Sequence, residues 1–117
     1  MRPLVLVCAL LAFPSAALAG SWAGTWTNDG VGTSGAAQLV VRRNAMLRLA
    51  GAAFGCAQPV VLPVRFSAGT LSGSGRDIPC NHGLRWKVSG RPGAVAIVLR
   101  LPDGSRAHLR LDLRRRR

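Results

Sequence analysis

The chain has 117 residues, and its 16 Lys and Arg against four acidic side chains give a formal net charge of +12. That length argues one domain, and the surplus of cations argues for anionic partners while leaving the fold open. Lys87 is the sole lysine and glutamate is absent, so the acids are Asp29, Asp77, Asp103 and Asp112, most of them in turn-forming contexts that leave no carboxylate pair for acid–base catalysis. A GC-rich genome accounts for Arg over Lys but not for so few acids.

Residues 1–19 read as a signal peptide. Arg2 supplies the positive start, Leu4 to Phe13 is an unbroken apolar run, Pro14 breaks it, and Ala17-Leu18-Ala19 offers the small residues of a cleavage site before Gly20. Leu4 to Ala19 falls short of the roughly 20 apolar residues that a helical span needs. The expectation is therefore export to the periplasm or the extracellular space, with no transmembrane segment in the mature chain. Cys8 would leave with the leader, so Cys56 and Cys80 remain as a pair in an exported chain. They are expected to form a disulfide, worth about 3 kcal/mol for a loop of this size.

Just after the expected cleavage site comes Ser21-Trp22-Ala23-Gly24-Thr25-Trp26-Thr27-Asn28, in which Trp22, Gly24 and Trp26 share one face. Asp29 to Gly35 is a glycine-rich loop; it lacks the Gly-Lys-Ser/Thr and the following helix of a phosphate cradle. Ala37, Leu39 and Val41 then alternate with Gln38, Val40 and Arg42, Arg43-Asn44 turns the chain, and Leu47, Leu49 and Gly51 form the next inward set. Cys56 lies in an irregular link. Val60, Leu62, Val64 and Phe66 make a fourth strand, in which Pro63 cannot donate to a ladder and marks an edge or bulge. After Ser67-Ala68-Gly69 comes a thin strand, Thr70 to Gly75. Asp77 to Gly83 is a second irregular link, holding Cys80.

Leu84, Trp86 and Val88 form the sixth apolar face, Gly90 to Gly93 a turn, and Val95, Ile97, Leu99 and Leu101 the seventh. Pro102-Asp103-Gly104 is the strongest hairpin signal, and Ala107, Leu109, Leu111 and Leu113 complete an eighth strand. No segment sustains helical periodicity. The pattern predicts an all-β fold: an antiparallel up-and-down meander of about eight strands over residues 20–113, closed or partly closed into a barrel, followed by a basic tail at 114–117. In such a meander Cys56 and Cys80 follow strands three and five and share a rim, which fits their pairing. The inward glycines Gly24, Gly51, Gly73 and Gly75 either let strands coil tightly or leave space, and coiling is the expectation.

Gly24-Thr25-Trp26-Thr27-Asn28 resembles the opening strand of avidin-type barrels, and Gly-x-Trp is also the lipocalin hallmark. The resemblance implies an eight-stranded barrel that binds a small molecule in its cup, with Asn28 at the position of a ligand contact. The departures are the absence of tyrosine and the presence of Trp86 alone among late-strand tryptophans, which argue against biotin.

Three functional readings follow. Catalysis is not expected: Cys80-Asn81-His82 pairs a nucleophile with a base, but Cys80 is assigned to the disulfide, and Cys56, Cys80, His82 and His108 lack the compact spacing of a metal site. No cofactor is implied. Trp22, Trp26, Asn28 and Trp86 are candidate contacts for a small apolar ligand, the carrier reading. The leading reading places Arg85, Lys87, Arg100, Arg106 and Arg110 on one outward face of the last three strands, extended by Arg114, for an anionic envelope polymer or an acidic protein. Nucleic acid ranks below these because no outward aromatic accompanies the cations. A protein inhibitor of a secreted enzyme is a third class, by analogy of fold alone.

Overall fold

The computed structural model describes residues 20–116. The expected leader at 1–19, Cys8 within it, and Arg117 lie outside the described residues. Eight strands form: β1 (Gly20–Asn28), β2 (Thr33–Val41), β3 (Ala45–Leu49), β4 (Val60–Ser67), β5 (Thr70–Ile78), β6 (Asn81–Arg91), β7 (Ala94–Arg100) and β8 (Arg106–Arg115), with one short 3-10 helix, Gly51–Phe54. They pair in sequence order, all antiparallel, and β1 pairs with β8 to close the barrel. Closure removes both sheet edges, which in an open meander would present unpaired backbone groups. Among the described residues no helix is long and apolar enough to cross a membrane.

The period-two pattern sorts the side chains. Leu39, Leu47 and Leu62 lie opposite one another on β2, β3 and β4, and Val88, Ile97 and Leu109 do so on β6, β7 and β8. All six are buried, while the residues between them on each strand face outward. Trp26 and Trp86 are buried within this core, and Trp22 and Phe66 pack against it half-buried.

The inward glycines leave no room. A Cβ on Gly24 would run into the carbonyl of Asp112 where β8 closes on β1, and one on Gly51 would meet the carbonyls of Gln58 and Cys56. Trp86 covers Gly75, its cross-strand partner, and Trp26 covers Gly35 in the same way. These positions serve the close approach of a neighbouring backbone or indole, which rules out the open space that is the alternative to coiling.

Several boundaries differ from the sequence reading, most because pairing with a neighbour overrides local composition. Thr33 to Gly35 belong to β2 because they pair with Trp26 to Asn28, and the indole covers the glycine. Most of the link read at Asp77 to Gly83 is a tight hairpin, with a register shift between Arg76 and Ile78 around Asp77, whose φ is 65°. β6 continues through Gly90 to Arg91, so the turn is only Pro92-Gly93. Gly51 starts the 3-10 helix instead of ending β3. Arg114 and Arg115, read as tail, extend β8 opposite Ala23 and Trp22.

The wall between β4 and β5 is paired over three positions only, Arg65 with Ser72, Phe66 with Leu71 and Ser67 with Thr70. The turn that joins them, Ala68-Gly69, has φ of 53° and 78°, the two positive values of a type I′ hairpin. Such a turn makes Ser67 and Thr70 a doubly hydrogen-bonded pair, so every second residue back along β4 should bond to β5. Pro63 occupies one of those positions and has no N–H, and the ladder stops there. Beyond it the Cys56–Cys80 disulfide joins the segment before β4 to the end of the β5–β6 turn, with Cα atoms 5.7 Å apart. The bond spans the rim where the ladder is missing.

Candidate functional site

The outward side chains of β5 to β8 form the most cationic stretch of the wall, and its arrangement follows from register. Arg76 on β5 lies opposite Arg85 on β6, Arg85 opposite Arg100 on β7, and Arg100 opposite Arg106 on β8. Four arginines on four successive strands therefore stand in a single cross-strand row, all exposed. With adjacent strands about 4.8 Å apart, the row spans about 14 Å. The neighbouring row holds Ser74, Lys87, Val98 and His108, and the next Ser72, Ser89, Ala96 and Arg110.

Acidic partners do not reach the row. Asp29 and Asp112 both approach Arg110, at 3.4 and 3.8 Å. The Asp77 carboxylate accepts the N–H of Gly83 across its hairpin. Asp103 accepts the Ser105 hydroxyl at 2.6 Å and the Ser105 N–H at 2.9 Å, and these bonds, the hydroxyl first, hold its carboxyl below the ordinary range. These are all four acidic side chains of the chain. None of the four aligned arginines forms an ion pair among the described residues.

Of the residues singled out from the sequence, Arg85, Arg100 and Arg106 are brought into direct register, with Lys87 one row away. Arg110 lies two rows from the arginine row and is partly neutralised by its two aspartates. Arg114 stands beyond Asp112 on the same strand. Arg76 falls outside the sequence reading, which ends the thin strand at Gly75; the same alternation continued through Ser72 and Ser74 places Arg76 outward on this face. A shallow depression of the rim lies beside Arg85 and Arg100, bounded by Gly83, Leu101, Pro102 and Gly104.

The interior candidates are placed differently. Trp26 is 0% exposed and Trp86 is buried. The indole of Trp22 is covered by the Arg115 guanidinium, 5.4 Å from the ring centre. The Asn28 side chain accepts the Gly30 N–H at 3.1 Å, which shapes the turn after β1. The Trp26 indole N–H has no hydrogen-bond partner among the described residues. Cys80 is bound to Cys56, while His82 and His108 are both exposed.

Comparison with known proteins finds no matching family model, no matching curated protein and no matching solved structure.

Proposed function

We propose that this protein is an exported, non-enzymatic binding module that holds an anionic envelope or extracellular partner on the outer wall of its barrel. The observation that carries the reading is the row Arg76, Arg85, Arg100 and Arg106, left without carboxylate partners while all four acids are engaged elsewhere. Guanidinium groups bind carboxylate, sulfate and phosphate through paired hydrogen bonds, with a geometry that lysine cannot supply. Export is supported by the leader-like pattern of residues 1–19 and by a disulfide, a bond that persists in oxidising compartments. The non-catalytic reading is supported by the commitment of Cys80, the nucleophile candidate beside His82, to that bond.

The test is retention on immobilised heparin and lipopolysaccharide across a salt series. Arg85→Thr, Arg100→Thr and Arg106→Thr together should elute at much lower salt than the parent. Arg42→Thr, Arg43→Thr and Arg48→Thr together, an equal change of charge on β3 and the turn before it, should elute close to it. Equal shifts in the two variants would indicate bulk charge and overturn the reading, as would no shift in either.

One observation favours a second reading, a carrier of a small apolar ligand. A buried indole N–H without a partner is costly and would be satisfied by an acceptor on a ligand. Native mass spectrometry of the purified protein checks it. A bound small molecule that Trp26→Phe abolishes would support the carrier, and a ligand-free spectrum would exclude it.

A further inference from the structure

Resting on the reading above, we propose that the arginine row is a track for a linear acidic polysaccharide, laid across the strands with successive carboxylates or sulfates meeting successive guanidiniums. Three features of the wall select this chemistry among anions.

The first is periodicity. The row repeats one cation per strand, about every 4.8 Å, along a line perpendicular to the strands. That interval is comparable to the length of one sugar in an extended chain, so a polymer with one acid per sugar can engage neighbouring arginines without bending. An acidic protein surface carries its charges at irregular spacing and lacks this match.

The second is the company the cations keep. A shallow groove runs over β4 to β6 beside the row, and its polar lining is Arg65, Lys87 and the hydroxyls of Ser72, Ser74 and Ser89. Hydroxyls interleaved with cations match a ligand that alternates hydroxyls with acids, since each can donate to or accept from a sugar hydroxyl.

The third is what the wall lacks. The only indole or phenyl ring on β5 to β8 is Trp86, and it is buried, so no indole or phenyl is exposed there to stack nucleobases. The exposed large apolar residues Val31, Met46 and Val61 all lie off those four strands, so the row has no anchor for acyl chains.

The row is also costly to the fold. Like charges directly opposite across a ladder are destabilising, and this wall stacks three such pairs. A bound polyanion would relieve that repulsion, so binding and stability should be linked.

The experiment is calorimetric titration of the protein with polygalacturonate oligomers of two to eight sugars at low and physiological salt. Neutral dextran, a single-stranded oligothymidylate and vesicles containing anionic lipid serve as comparison probes. Affinity should rise with each sugar up to about four, the number of guanidiniums in register, and then level off. The combined variant Arg76→Thr, Arg85→Thr, Arg100→Thr, Arg106→Thr should lose at least about tenfold in affinity. A charge-matched variant, Arg42→Thr, Arg43→Thr, Arg48→Thr, Arg91→Thr, none of them in the row or the groove, should lose far less. Circular dichroism melts of both variants check folding, and the row variant should melt no lower than the parent. Tighter row-dependent binding of the oligonucleotide or the vesicles than of the octamer would overturn the polysaccharide assignment and leave the basic-wall reading standing. Row-dependent binding without the length dependence would overturn the track. Equal losses in the two variants, or no binding of any anion, would overturn both.

Discussion

Each of the two buried tryptophans lies over a glycine on the neighbouring strand: Trp26 opposite Gly35 and Trp86 opposite Gly75. A side chain on either glycine would occupy the space of the indole. The Cβ of an alanine would lie 2.6 Å from Trp26 Nε1 at position 35 and 2.5 Å from Trp86 Cζ2 at position 75. Gly35→Ala and Gly75→Ala should therefore each destabilise by about 1–3 kcal/mol through overpacking, read as a lower urea midpoint. Gly93→Ala has only a carbonyl at 3.7 Å and should change stability by less than about 0.5 kcal/mol. Equal losses at all three positions would mean a generic cost of replacing glycine and not the covering of glycine by an indole.

Among the elements, β4 and β5 form the weak seam. Each of the other walls is a ladder of five or more positions, whereas this one stops after three at Pro63. The disulfide then acts as a clasp across the seam, beyond its general effect on the unfolded chain. Replacing both cysteines, Cys56→Ser with Cys80→Ser, should cost about 3 kcal/mol. Hydrogen exchange should show where: the amides of Arg65 and Ser72, the last pair of the short β4–β5 ladder, should speed up before those of Leu47 and Leu62 in the adjoining ladder. Uniform acceleration over all strands would mean that the bond stabilises only globally.

At the scale of the whole molecule, closure lets the barrel tolerate a repulsive row. An open sheet could slip or fray to separate opposed arginines, but a closed one would have to break pairing on both sides of every strand. Register is thus held by the apolar interior against the charges outside. Salt should screen the repulsion, so the melting temperature of the parent should rise as the Debye length shortens toward about 8 Å. Arg85→Thr with Arg100→Thr removes a member of every opposed pair in the row. It should raise stability at low salt by a few tenths of a kcal/mol per pair and flatten the salt dependence. A double variant less stable than the parent at low salt would show that the arginine stems contribute more by packing than the charges cost.

The alternation of apolar and polar residues along the chain was sufficient for the number of strands, the inward and outward faces and the meander. The count of cysteines left after the expected leader, with their shared rim, was sufficient for the pairing of Cys56 with Cys80. Parity is local: one residue's direction determines the next, so Leu39, Trp86 and Arg100 could be assigned to the inside or the outside from their immediate neighbours. Tertiary structure decided which outward residues meet. Register relates two strands and is set by turn geometry and by the closing β1–β8 ladder, neither of which appears in any one segment. It added Arg76 to the row, drew Arg110 to Asp29 and Asp112, and carried Gly35 out of an apparent loop to lie beneath Trp26. Pro63 was legible as a break, but its partner strand was not, so only the folded barrel shows that the disulfide clasps the gap that this proline leaves.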